Sequence, residues 1–158
     1  MRRVATIGVL FVAACGGSSA APLPTGPAAF LGVWAPAGGE GGSSVSSKIC
    51  GTAAPVVSPI TSDLTILAGQ AGTIVASTSN GCKETLTVSG DSATAMSGQM
   101  CTLTSGDGGT AIVETVSSYM LIVHGSELTS AATGSLVETV SGKPETCSVS
   151  SEGMYTKQ

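Results

Sequence analysis

Apolar and polar residues alternate with a period of two through most of this chain from residue 28 onward. Leu64, Thr65 and Ile66 set the pattern, residues 73–78 repeat it, and residues 84–88 carry it as Glu, Thr, Leu, Thr, Val. Such alternation marks strands that bury one face. Further strands are expected over residues 30–35, 45–50, 93–104, 111–123, 128–140 and 146–155. Between them stand turn formers: Asn80-Gly81, Gly90-Asp91, His124-Gly125-Ser126 and Ser141-Gly142-Lys143-Pro144. Residues 52–59, punctuated by Pro55 and Pro59, read as a connection. In the long strand 111–123, parity places Ile112, Val116, Met120 and Ile122 on one face and Val113, Tyr119 and Leu121 on the other. No segment combines a 3.6-residue period with good helix formers. About nine strands joined by tight turns predict an all-β domain, an antiparallel up-and-down meander. Its closure into a barrel, complete or nearly so, removes exposed edges. A β-sandwich is the alternative architecture.

Composition sharpens this picture. Aromatic residues make up only 3% of the chain and charged residues only 10%, with 22 glycines among 158 residues. Hydroxyl-rich strands and many glycine turns suit that composition. The core must be built from small aliphatic side chains, so covalent cross-links should matter to its stability.

The N-terminus departs from the alternation. Arg2 and Arg3 precede an apolar run from Val4 to Ala14, which ends in Val12-Ala13-Ala14-Cys15. The run is shorter than the ~20 residues a membrane-spanning helix needs. A basic start, a short apolar stretch and small residues before a cut are the parts of a secretory leader. With cysteine directly after Ala13-Ala14, the segment resembles a bacterial lipoprotein signal peptide with its lipobox. The resemblance implies that residues 1–14 are removed and that Cys15 becomes the lipidated N-terminus. Residues 15–27 would form a Gly/Ser/Pro tether and 28–158 a single β-domain. Two or more acyl chains anchor a protein stably without spanning the bilayer. Gly16, where an aspartate would favour inner-membrane retention, points towards the outer membrane. An ordinary leader cut after Ala20 or Ala21 is the alternative. Without the leader, four lysines remain against ten acids, a net charge of −6. Isolated lysines on an acidic chain argue against nucleic acid as a partner.

Five cysteines are present. Assigning Cys15 to lipid leaves Cys50, Cys82, Cys101 and Cys147, an even set that suits two disulfides in an exported chain. Reversal at Gly90-Asp91 brings Cys82 opposite residues near Gln99 to Cys101, with a bulge near Ser97-Gly98 absorbing the offset. That favours Cys82–Cys101, and by remainder Cys50–Cys147, which ties an early strand to the last. No CxxC pair occurs and His124 is the lone histidine, so the sequence offers no zinc cluster.

Phe30-Leu31-Gly32-Val33-Trp34 places Gly-x-Trp on the first strand of the meander. It resembles the opening motif of lipocalin-like (calycin) barrels, and the resemblance implies that Trp34 packs across the closed end. The overall layout is similar to that of small uncharacterised lipoproteins of Gram-negative bacteria. Trp34, Tyr119, Met120 and Tyr155 are candidates to line a ligand cavity, although core duty is the better reading of such scarce bulk.

Chemistry is sparse. His124 reads as a solvated turn residue. Asp63, Glu84, Glu114, Glu127 and Glu138 are scattered; Glu114 and Glu138 are candidate cross-strand neighbours, chiefly expected as exposed charges. Asp107-Gly108-Gly109 lacks the alternating acids of a calcium loop, and no lysine and helix follow to make a phosphate loop. No cofactor motif is present. These readings lead to a membrane-anchored envelope lipoprotein, non-enzymatic, serving a structural or interaction role with an envelope protein. A lipocalin-like binder of a small apolar ligand is the alternative.

Overall fold

The computed structural model describes residues 24–37, 44–79, 81–104, 111–140 and 143–158. The leader, Cys15 and most of the tether segment lie outside them, as do Asn80 and the glycine-rich residues 106–109, where the sequence suggests a loop. Within them are a four-residue helix, α1 (Pro27–Phe30), and eleven strands. The strands are β1 (Gly32–Pro36), β2 (Val45–Cys50), β3 (Val56–Pro59), β4 (Leu64–Ala68), β5 (Thr73–Ser77), β6 (Lys83–Ser89), β7 (Ser92–Ala95), β8 (Gln99–Thr104), β9 (Ala111–His124), β10 (Glu127–Val140) and β11 (Lys143–Lys157).

All pairings are antiparallel. The order β1-β4-β5-β6-β7-β9-β10-β11 returns to β1, giving a ring of eight strands and the nearly closed barrel that the alternation implies. The sequence supports about nine strands, and eleven are present for two reasons. Residues 52–59 contain β3, whose flanking prolines suit an edge strand carrying exposed Val56 and Val57. Residues 93–104 divide into β7 and β8, broken where Gly98 takes a positive φ of 86°.

The ring closes only towards one end. β7 reaches β9 at Met120, Leu121 and Ile122, and β1 reaches β11 at Tyr155, Thr156 and Lys157. The earlier halves of the long strands pair elsewhere: β9 with β8, and β11 with the β2–β3 hairpin. β9 to β11, with 14 or 15 residues each, run well past the short strands β4 to β7. They form a curved wall beyond the closed ring.

The closed end is filled with hydrocarbon. Phe30, Trp34, Leu64, Ile66, Ile74 and Leu86 are fully buried there, and Leu121, Val123 and Leu128 join them from the long strands. α1 caps this end, with proline at its first turn where the missing N–H costs nothing. Trp34 sits in the packed core, and its Nε1 donates to the Phe30 carbonyl at 2.7 Å. Its ring carries Lys157 Nζ at 5.2 Å from the centroid.

One residue alters the faces of the longest strand. Thr133 pairs with Ser118 but Gly134 pairs with Val116, so Ser117 is an inserted residue in β9. Parity therefore reverses at that point. Val116 joins Tyr119 and Leu121 on the inner face, while Met120 and Ile122 point outward, contrary to the face assignment from simple alternation. Gly134 is required at the bulge, because a Cβ there would lie 2.5 Å from the Thr115 carbonyl oxygen.

Two disulfides staple the extension to the ring. Cys50–Cys147 joins directly paired residues of β2 and β11. Cys82–Cys101 joins the start of β6 to β8, with a Cα separation of 5.5 Å. These are the two expected pairs, Cys82–Cys101 from the hairpin register and Cys50–Cys147 by remainder.

Candidate functional site

Where the closed ring gives way to the open wall, a cavity of about 590 Å³ enters the barrel. Its inner side is formed by Tyr119, Tyr155 and Ser130. Glu84 and Glu114 approach from β6 and β9, and Val116, Leu136 and Val149 supply apolar surface. The β2–β3 hairpin contributes mainly serines and Lys48. The cavity thus grades from a phenolic and apolar floor to a polar mouth.

Register explains why the two acids converge. Glu84 has the parity of Leu86, which is buried in the core, so it faces inward at the end of β6. Glu114 has the parity of Val116 and pairs with Cys101 of β8 and Leu136 of β10. The Ser117 bulge sets it on the inner face; without the extra residue it would face solvent. Burial raises both carboxyl groups above their ordinary value. Repulsion from Glu114 raises Glu84 further, partly offset by a hydrogen bond from the Glu84 backbone amide.

No lysine neutralises this pair. Lys83 precedes Glu84 on the opposite, exposed face of β6. Lys48 is engaged by Glu138, with its Nζ 3.0 Å from each carboxylate oxygen. That ion pair lies against the Cys50–Cys147 bridge, with Glu138 Oε1 3.5 Å and 3.6 Å from the two sulfurs. Glu114 and Glu138 do share the inner face of neighbouring strands, but each has a different partner: Glu114 meets Glu84, and Glu138 meets Lys48.

The tyrosines differ in their surroundings. Tyr155 is buried with its hydroxyl in a hydrogen bond with Ser130, which moderates the rise that burial imposes on the phenol. Tyr119 is raised far more, first by burial and then by Tyr155 and Glu84, and remains a neutral hydroxyl donor. Tyr119 is partly buried and lines the cavity.

Of the four aromatic and methionine candidates, two line the cavity. Trp34 is in the solid core. Met120 is on the outer face, where it borders a smaller depression of about 270 Å³ with Ile122 and Met154. His124 is exposed at the β9–β10 turn. Glu84 was not singled out by sequence as a site residue. The signal available was its place two residues before Leu86 and four before Val88, on the face that the apolar residues define. Among the described residues, the three-ligand grouping of metal-binding type is Cys50, Glu138 and Cys147, whose cysteines are already joined to each other.

Comparison with protein families, with curated proteins and with solved structures finds no match to the chain.

Proposed function

We propose that this protein is an exported lipoprotein of the cell envelope, held by acylated Cys15, whose barrel is a non-catalytic module that receives a small ligand. The observation that carries the binding role is the cavity of about 590 Å³ at the open end of the ring, which falls within the range of small-molecule sites. The leader and Cys15 support the anchor, with the outer membrane as its destination. Two disulfides suit an oxidising compartment. The lining of acids, phenols and serines favours a ligand with a polar group over the wholly apolar one that a lipocalin-like barrel implies. An envelope protein docking at the same mouth is the interaction role in another form.

The test is mass spectrometry of the full-length protein, extracted from membranes in a non-ionic detergent. Intact mass should show the chain beginning at acylated Cys15. Native mass should show a retained small adduct that denaturation releases. A Cys15→Ala protein that still partitions with membranes would count against the anchor. An adduct-free protein that binds no charged or neutral small molecule would count against the cavity's role.

A further inference from the structure

We infer that the β2–β3 hairpin is a flap over the cavity mouth, hinged at Ser44 and latched at its tip by the Cys50–Cys147 bridge, and that a dithiol reductant releases it. This adds regulation to the binding-module reading and rests on it. Three observations converge. The first is how little holds the hairpin. Among the described residues β2 pairs with β11 and β3 pairs only with β2, and neither strand places a residue in the hydrophobic core. β3 is exposed along its whole length. The second is where the ties lie. At the base, the buried Ser44 hydroxyl donates to the Met154 carbonyl at 3.0 Å and accepts from the Met154 amide at 2.9 Å. The Ile60 amide donates to the Ser44 carbonyl at 3.0 Å, so both ends of the hairpin meet at this point. At the tip, Cys50 is the last residue of β2 and carries the covalent tie to β11. The third is what the hairpin covers: Ser46, Ser47, Lys48, Val56, Ser58 and Pro59 line the cavity.

A two-stranded ribbon is marginally stable unless it packs on a core. Elements of that kind open locally while the rest of a domain stays folded. Here the ladder to β11 runs from Val45 to Cys50, and the Lys48–Glu138 pair reaches over β11 to β10 near the tip. A partly exposed ion pair is a weak tie, so the bridge decides whether the tip stays down. Cys50 is half-buried and Cys147 fully buried, which leaves the Cys50 sulfur as the one open to attack. A thiolate of the dithiol attacks Cys50 Sγ, the S–S bond breaks and Cys147 leaves. The reductant's second thiolate then displaces Cys50, so the dithiol is oxidised to a disulfide and the protein gains two thiols. The protons given up by the dithiol end on the two cysteine sulfurs. Glu138 suits that product. Its Oε1 stands 3.5 Å and 3.6 Å from the two sulfurs, where a disulfide has no S–H to offer but two thiols can both donate. In the oxidising compartment proposed for this protein the latch is shut.

The test is amide hydrogen exchange of the detergent-extracted full-length protein before and after treatment with dithiothreitol, with peptide mapping to show which bridge has opened. After reduction, residues 45–59 should exchange at least about ten-fold faster while residues 64–77 of the ring stay unchanged. Cys50→Ser/Cys147→Ser should reproduce that pattern without reductant, and Cys82→Ser/Cys101→Ser should not; exchange in the ring reports whether each variant folds. Native mass, read in parallel, should show a retained adduct leaving on reduction. A Cys50–Cys147 bridge that dithiothreitol fails to open in the folded protein would overturn the latch. So would unchanged exchange at 45–59 once the bridge is open, or equal acceleration at 64–77, which would make the bridge a staple of the whole fold. An adduct held equally in both redox states would leave the cavity a binding site and overturn the flap's control of it. If the flap loosens but neither redox state retains a small molecule, the latch stands and the binding module falls.

Discussion

The ring of Tyr155 lies across Gly153, two residues earlier on the same face of β11, so closely that a Cβ at position 153 would stand 2.5 Å from Tyr155 Cε2. The same Cβ would lie 2.7 Å from Ser130 Oγ, the hydroxyl that bonds Tyr155. Glycine is therefore needed here for space and not for an unusual backbone angle. Gly153→Ala should destabilise the fold by ~1–3 kcal/mol, as forced overpacking does. It should also displace Tyr155 from the cavity floor. Urea unfolding gives the first quantity and tyrosine fluorescence the second. Unaltered stability and an unaltered spectrum would mean that the ring gives way freely.

What the sequence made legible follows from which features period-two alternation can carry. Leu64 and Ile66, Ile74 and Ala76, and Leu86 and Val88 each declare an inner face, and all line the closed end or pack against it. The Cys82–Cys101 pair was legible because Gly90 fixes a hairpin and a break at Gly98 takes up the two-residue offset, and Cys50–Cys147 followed by remainder. Alternation cannot register one extra residue, so the Ser117 bulge was invisible and the two halves of β9 exchanged faces. That single insertion hid the site, because it sets Glu114 opposite Glu84 and turns Met120 outward. β3 was hidden differently: Pro55 and Pro59 read as loop punctuation, yet at a sheet edge proline is tolerated.

The acids at the mouth make stability fall with rising pH. Burial raises Glu84 and Glu114, so the folded chain holds protons that the unfolded chain has released. Their favourable contribution is complete below the unfolded value and is lost as pH rises through the folded one. Glu84→Gln/Glu114→Gln should consequently be more stable than wild type at neutral pH, and the gap should close towards acidic pH. Melting temperatures across that range check it. A double variant less stable than wild type at neutral pH would show that the carboxylates are well compensated in the folded state.

The two bridges should differ in their effect. Cys50–Cys147 closes a sequence separation of 97 residues and Cys82–Cys101 one of 19. Chain-entropy arguments assign about 4–5 kcal/mol to the longer loop and ~3 kcal/mol to the shorter. Replacing each pair with alanines should therefore cost more for Cys50 and Cys147. Denaturant midpoints of the two double variants measure the difference. A larger loss for Cys82–Cys101 would place its main effect in the folded state, where it holds β8 beside β6.

Gln99 gives the last prediction, because its amide does the work of a missing strand. β7 covers β6 only from Leu86 to Ser89, leaving Thr85 unpaired on that side. The Thr85 amide donates to Gln99 Oε1 at 2.8 Å, and Gln99 Nε2 donates to the Thr85 carbonyl at 2.8 Å. Nε2 also reaches the Met96 carbonyl at 3.3 Å, tying down the break between β7 and β8. One side chain thus reproduces both halves of a backbone pairing. Gln99→Ala forfeits two good hydrogen bonds worth about 0.5–1.5 kcal/mol each, softened by solvent at this exposed position. Gln99→Glu should be worse than alanine at neutral pH: a carboxylate can accept from the Thr85 amide but confronts the Thr85 and Met96 carbonyls with a third set of lone pairs. Protonation restores one donor, so the glutamate variant should recover stability as pH falls through its carboxyl titration, whereas the alanine variant should not. Urea midpoints of both variants at neutral and acidic pH decide the matter. A glutamate variant as stable as wild type at neutral pH would show that the gap beside Thr85 is closed by something other than this amide.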